Sequence, residues 1–506
     1  MAQSSGADLT KEQLLDHWAA ALGGREKLQK LRAVHTQGTI ETGGVKGTFE
    51  RWSTWRGEFH MTIDLGGAIH QENIFDGKQG WAMDASGSVH DLSGGNLRSA
   101  ISSAYEASES FFFAGRLAGE IVFIGRDAAQ FAYVIRLEPA GGNPVTVFLD
   151  ENTLLPKREE TMGPLGNKRT LTIVDWLDSD GIKFPARTVQ SSGDAKFDIT
   201  TTVERVDTNP TLAANLFTRP AEAAAQFRFA NGAHQTTVPV EVYGEHIFLP
   251  VRVNGEMGWF FLDSGAGSSV VTKEFAQKIQ LASNGAMRAV GANGATSLAI
   301  AKNVVLGLPN LDFPLPSVTV LDSAAALPSL GREWNGLLGY DVFSRLVVRV
   351  DYQRKQVTFA DPAFFDPQKP AASLPLSFLG NWPLVPVKIV LPSGSPIETK
   401  CFLDTGAGGL MLSNSFAAAN ALTSTNGAGS ILGTAGETKR VGIVIAELQL
   451  GPYVLRDLNA GLAPGAKEGA LASPDIGALA GGEILRRFVV TFDYPHHRVL
   501  LEPAPE

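Results

Sequence analysis

Phe261-Leu262-Asp263-Ser264-Gly265-Ala266-Gly267 returns later in the chain as Phe402-Leu403-Asp404-Thr405-Gly406-Ala407-Gly408. A single Asp-Ser-Gly or Asp-Thr-Gly arises readily by chance in a turn. Two copies inside one seven-residue frame do not. The likeness extends outward from the frame. Nine residues after each aspartate stands a hydroxyl residue suited to start a helix, Thr272 and Ser413, and three further on a phenylalanine, Phe275 and Phe416. A glycine-bounded turn follows, Gly291-Ala292-Asn293-Gly294 in one copy and Gly433-Thr434-Ala435-Gly436 in the other. Each copy closes on a small-residue turn and an apolar strand, Gly336-Leu337-Leu338-Gly339 before 346–352 and Leu479-Ala480-Gly481 before 488–494. The aspartates are 141 positions apart and the closing strands 142. A register held this well predicts one folding unit duplicated within the chain.

The 506 residues suffice for about three domains. With 44% hydrophobic and 19% charged residues the composition is that of a chain able to bury a large core. The net charge of −9 offers no basic patch for phosphates, which argues against a nucleic-acid partner. No apolar run reaches the roughly twenty residues of a membrane-spanning helix. Cys401 is the only cysteine, so no intrachain disulfide can form, and its apolar surroundings read as those of a small buried hydrophobe. No metal and no cofactor is expected. The opening Met1-Ala2-Gln3-Ser4-Ser5-Gly6 reads as a start placed on a mature exported chain, so a periplasmic or secreted location is expected.

Residues 1–222 read as a separate domain. Thr10-Lys11-Glu12-Gln13 has the form of a capping box before an apolar face of Leu14, Leu15, Trp18 and Leu22. Strand-like segments follow at 34–41, 47–64, 68–75, 79–84, 120–125, 131–138, 144–150, 169–176, 183–190 and 196–206, with one helix at about 97–118. This pattern predicts an antiparallel sheet curled around a helix. His35, His60, His70 and His90 lack metal-ligand spacing and read as surface or core residues. The segment resembles the periplasmic lipoprotein-carrier family in Leu22-Gly23-Gly24 with Leu28, Leu31 and Val34, in Asp76-Gly77-Lys78-Gln79-Gly80-Trp81, and in Leu216-Phe217-Thr218-Arg219-Pro220. That resemblance implies an antiparallel β half-barrel with a helical lid and a concave face for lipid or another apolar ligand. Residues 223–237 read as a linker.

The duplicated unit divides into a first lobe at 238–362, a connector at 363–380 and a second lobe at 381–506. Asn254-Gly255 predicts a tight hairpin turn just before the first aspartate. With its two hydrophobic-Asp-[Ser/Thr]-Gly-Ala motifs, the unit resembles the pepsin–retropepsin family of aspartic peptidases over 238–503. Three things follow from that resemblance. The fold is two β-barrel lobes about a pseudo-twofold axis, the whole chain being mainly β. Asp263 and Asp404 are a catalytic pair, with Ser264, Gly265, Thr405 and Gly406 supporting the active-site loops. Gly291, Ala292, Asn293 and Gly294, and Gly433, Thr434, Ala435 and Gly436, are the flaps over a peptide or unfolded-protein substrate. No tyrosine lies between Asp263 and Tyr340, and Ala266 and Ala407 follow the motif glycines. Both departures from the pepsin pattern imply the retroviral type, here fused into one chain that acts as a monomer.

The residue types suit the chemistry. Two carboxyls held about 3 Å apart cannot both ionise, so they share a proton and can act as base and acid together. Other classes fit less well. No Gly-x-Ser-x-Gly frames a nucleophilic serine, and neither Gly-x-Gly is completed for nucleotide phosphates. An alternative function stays open at this point: a non-catalytic peptide- or lipid-binding protein on a protease-like scaffold.

Overall fold

The computed structural model describes residues 9–222, 226–322, 332–367, 372–392, 394–422, 425–433 and 436–504. The chain divides into two compact units, one of Met1–Ala85 with Val89–Ala221 and the other of Ser86–Ser88 with Glu222–Glu506. Both are mainly β. Among the described residues no helix is long and apolar enough to cross a membrane.

In the first unit the chain enters through helix α1 (Lys11–Leu22). The Thr10 hydroxyl accepts from the Gln13 amide at 3.2 Å, and the Gln13 side chain accepts from the Thr10 amide at 3.0 Å. This reciprocal cap satisfies two of the amides a helix start leaves open. Helix α2 (Arg25–Lys30) follows, then thirteen strands. They are β1 (Ala33–Thr42), β2 (Val45–Thr54), β3 (Phe59–Leu65), β4 (Ile69–Phe75), β5 (Gly80–Met83) and β6 (Val89–Asp91), then helix α3 (Gly94–Ala107). After it come β7 (Gly119–Asp127), β8 (Ala132–Pro139), β9 (Val145–Asp150), β10 (Pro156–Met162), β11 (Lys168–Ser179), β12 (Ile182–Ser191) and β13 (Ile199–Thr208). They form one sheet in the order β6-β5-β4-β3-β2-β1-β13-β12-β11-β10-β9-β8-β7. Helix α3 touches both β2 and β8, which on a flat sheet would lie ~34 Å apart. The helix itself is only ~21 Å long. The sheet therefore curls around α3. Ala104 packs in a cluster with Phe59 and Phe75, and the next residue, Tyr105, in one with Ile135 and Val147.

Three expectations for this unit need correction. The helix expected over 97–118 stops at Ala107. Past it the chain turns through Glu109 at φ 51°, and Phe111 stacks on Trp18 of α1 with ring centroids 4.5 Å apart. Burying that ring requires the chain to leave the helix. The single strand expected over 47–64 is two, because Gly57 at φ 83° makes a turn after Thr54. Strand β10 was not expected at all, since Lys-Arg-Glu-Glu within it carries no apolar alternation.

In the second unit the two repeats have one topology, strand for strand. Glu256–Leu262 pairs in parallel with Gly336–Leu338, Phe260 facing Gly336; Pro396–Leu403 pairs in parallel with Ala478–Ala480, Cys401 facing Ala478. Val270–Thr272 pairs antiparallel with Gly336–Leu338, as Leu410–Leu412 does with Ala478–Ala480. Beneath both lobes a six-stranded sheet joins them through Val347–Asp351 and Phe488–Asp493, antiparallel, with Arg349 facing Thr491. Those two residues are equivalent in the repeat, so the pseudo-twofold axis runs through that pair. Gln235–Pro239 and Ala372–Pro375 close its two edges.

The hairpin before the first aspartate turns at Asn254 (φ 50°) and Gly255 (φ 95°). Asn254 also accepts from the Val305 amide at 2.8 Å. Asn254→Ala removes the polar side chain that lets asparagine tolerate left-handed backbone and deletes that bond, so a loss of about 1–2 kcal/mol is expected. The urea midpoint would report it; Asn254→Gly should lose less, and an unchanged midpoint for the alanine variant would refute the account.

Candidate active site

Each heptapeptide leaves its strand at the aspartate and is pinned to the short strand of its own lobe, Gly336–Leu338 or Ala478–Ala480. The Asp263 amide donates to the Leu338 carbonyl at 3.0 Å, and the Asp404 amide to the Ala480 carbonyl at 3.0 Å. Each loop then bends back so that its own amides serve the carboxylate. Asp263 Oδ1 accepts from the Gly265 amide at 2.9 Å and the Ala266 amide at 3.0 Å. Asp404 Oδ1 accepts from the Gly406 amide at 2.9 Å.

Four bonds lock the two loops to each other across the axis. The Ser264 amide donates to Thr405 Oγ1 at 2.9 Å, and the Thr405 amide to Ser264 Oγ at 3.0 Å. Ser264 Oγ donates to the Leu403 carbonyl and Thr405 Oγ1 to the Leu262 carbonyl, both at 2.9 Å. Ser264 and Thr405 are fully buried. Each carboxyl lies against the glycine of the opposite loop. A β-carbon on Gly265 would lie 2.6 Å from Asp404 Cγ, and one on Gly406 would lie 2.4 Å from Asp263 Cγ. Only glycine admits that approach.

The two carboxyls are close enough to shift each other's titration. Burial pushes the Asp263 carboxyl up to about 6, against the opposing pull of Asp404 and of the Gly265 and Ala266 amides. Burial pushes Asp404 well above the ordinary carboxylate range, and the charge of Asp263 adds to it. Burial thus disfavours two negative charges at this site.

Other expected residues are placed as follows. In the first hairpin the Gly291 amide donates to the Gly294 carbonyl at 2.8 Å, and Asn293 is buried. In the second, Gly433 pairs with Gly436, while Thr434 and Ala435 lie outside the described residues. Cys401 is fully buried and its thiol is pushed by burial up to about 12, the environment of a packing residue. Asp351 accepts from the Arg354 amide at 2.9 Å, and Asp493 receives His496 and Arg498; both serve turns. Among the described residues no group of three or more His, Cys, Asp or Glu could hold a metal ion.

Two neighbours of the loops escaped the sequence reading. Asn381 Nδ2 donates to the Gly267 carbonyl at 3.0 Å, bracing the first loop from the second lobe. Glu245 takes the mirror position, where a β-carbon on Gly408 would lie 3.9 Å from its Cγ. The available signal was a glycine followed by a polar residue, Gly244-Glu245 and Gly380-Asn381, just before the strands His246–Val253 and Trp382–Val390. Asp341 supports the first loop from behind, accepting from the Ser269 amide at 2.9 Å and the Ser269 hydroxyl at 2.5 Å.

The aspartyl protease family model matches the chain twice, over residues 249–342 and 385–478. Each stretch contains one aspartate of the pair. Among solved structures, an aspartic proteinase from Irpex lacteus is similar at 12% identity and a TM-score of 0.36, covering 53% of this chain and 97% of its own. A DUF1329 family protein from Desulfovibrio piger is similar at 12% identity and a TM-score of 0.29, covering 41% of this chain and 96% of its own. No curated protein matches the chain.

Proposed function

We propose that this chain is an aspartic endopeptidase of the single-chain retropepsin type, with Asp263 and Asp404 as its catalytic pair. One observation carries the reading. A half-buried carboxyl, Asp263, and a buried one, Asp404, each lie against the other loop's glycine, and burial pushes both above the ordinary range. The double match to the aspartyl protease family supports it.

In this reading a water rests between the two carboxyls. Asp263, as the ionised partner, takes a proton from the water as the water oxygen bonds to the scissile carbonyl carbon. Asp404 gives its proton to the carbonyl oxygen, so no separate charge develops. The tetrahedral intermediate collapses as the carbon–nitrogen bond breaks, with Asp263 returning its proton to the nitrogen and Asp404 recovering one from the oxygen. Both assignments describe a coupled pair, whose titration belongs to the two together. An extended peptide would bind by strand addition along the hairpins.

The test is cleavage of an unfolded protein and a mixed peptide library from about pH 3 to 8, with Asp263→Asn as the blank. The active form holds one proton. Below about pH 6 Asp263 is protonated as well, and the base is missing. The acid limb of kcat/KM is therefore expected near pH 6, displaced upward from the ordinary carboxylate value of about 4. A limb at pH 4 or below would remove burial as the controlling influence. No cleavage at any pH by folded protein would leave the non-catalytic binding reading.

A further inference from the structure

The first-lobe hairpin crosses to the second lobe and is fastened there. The Leu471 amide donates to the Ala292 carbonyl at 3.0 Å. Asn293 Nδ2 donates to Thr438 Oγ1 at 3.0 Å. Arg288 forms an ion pair with Glu468, its guanidinium donating to the carboxylate, and the two side chains are 17% and 19% exposed. Gly469 lies beneath the tip, where a β-carbon would come 2.1 Å from the Gly291 carbonyl oxygen.

The receiving loop is firm. The Asn414 amide donates to the Leu471 carbonyl at 2.7 Å, and the Asn414 side chain to the carbonyls of Ala463 and Ala466. The loop runs directly into Ala478–Ala480, the strand whose last carbonyl holds the Asp404 amide. A tip fastened to this loop is fastened to the wall that carries one of the two aspartates.

The repeat makes this contact one-sided. At the 142-residue offset Arg288 corresponds to Ser430 and Glu468 to Ala326, so the sequence has no mirror-image ion pair. By sequence, the ion pair belongs to one half alone.

We propose that the 288–294 hairpin is a latched lid between the lobes, held shut by Arg288–Glu468 and released to admit an extended peptide. The proposal rests on the peptidase reading for its substrate, but the latch can be read without catalysis. The Ala292 carbonyl, occupied by Leu471 in the shut state, becomes available to a substrate backbone only when the latch opens. Entry is therefore limited to the fraction of molecules with the lid free.

Arg288→Gln and Glu468→Gln, each in the Asp263→Asn background, are compared by hydrogen exchange followed in peptides spanning 463–476. Faster exchange than in the latched parent is expected in both. The exchanged pair Arg288→Glu with Glu468→Arg should restore the parent rate. In the active background each single variant should raise kcat/KM for peptides of eight or more residues by about threefold to fivefold, through KM, and blunt its increase with salt. Unchanged exchange in the singles, or failure of the exchanged pair to restore it, overturns the latch. A fall in kcat/KM overturns its role as a barrier to entry. Absence of all cleavage together with the expected exchange pattern would count against the peptidase reading while leaving the latch in place.

Discussion

Asp263→Asn and Asp404→Asn are each expected to lower kcat/KM on a peptide substrate by about 10³-fold or more, with the double variant no worse than the weaker single. That is about 4 kcal/mol of transition-state stabilisation. The non-additivity follows from the shared proton: remove either carboxyl and the other has no partner with which to divide base and acid roles. Asparagine keeps an oxygen for the loop amides, so the bonds from Gly265 and Ala266 to position 263, and from Gly406 to position 404, remain available. Stability should move in the opposite direction from activity. A carboxyl pushed up in the folded state binds protons more tightly there than when unfolded. The stability it contributes is present in acid and falls as pH rises from about 4 through the folded value, about 6 for Asp263. At pH 7 the variants should unfold at a urea concentration no lower than the parent, and any advantage should fade by pH 4. Activity surviving either substitution in folded protein would end the claim of one dyad per chain.

Thr405→Val should cost about 2–5 kcal/mol of stability and most of the activity. The side chains are nearly isosteric, so packing is kept and hydrogen bonding alone is tested. Thr405 Oγ1 accepts from the Ser264 amide and donates to the Leu262 carbonyl, in a place closed to water. Valine strips both backbone groups of this partner, and an unsatisfied buried group costs about 1–3 kcal/mol. The loops that aim the carboxyls lose one side of a two-sided lock. Thr405→Ser keeps the hydroxyl and should lose less than about 1 kcal/mol. Urea unfolding of the three proteins decides the matter: a valine variant within 1 kcal/mol of the parent would mean that the cross-bonds orient the loops without stabilising the fold.

Much of the second unit was legible because duplication converts a sequence offset into symmetry. Two like loops at a constant spacing point to a twofold arrangement, and a twofold arrangement brings Asp263 toward Asp404. The caps at Thr272 and Ser413 were readable for a local reason, since each hydroxyl accepts from the amide three residues on. The first unit was less open to reading. The helix end at Ala107 is decided by the meeting of Phe111 with Trp18, ninety-three residues earlier, and no local pattern announces it. Strand β10 is held in register by β9 and β11 on either side rather than by apolar alternation of its own. Arg288 and Glu468 stand 180 residues apart, at positions the repeat does not equate, so neither periodicity nor duplication connects them.

The pairing of Arg349 with its own repeat equivalent, Thr491, has a bearing on how the two halves are free to differ. At that seam a substitution in one half is met by the counterpart segment of the other, so both must suit a strand partner that is almost a copy of itself. Val-Val-Arg-Val-Asp-Tyr against Val-Val-Thr-Phe-Asp-Tyr shows how little has drifted there. Away from the seam each half answers only to its own surroundings. A single fused chain can therefore assign one hairpin a task its twin does not share, which an assembly of two identical chains cannot do.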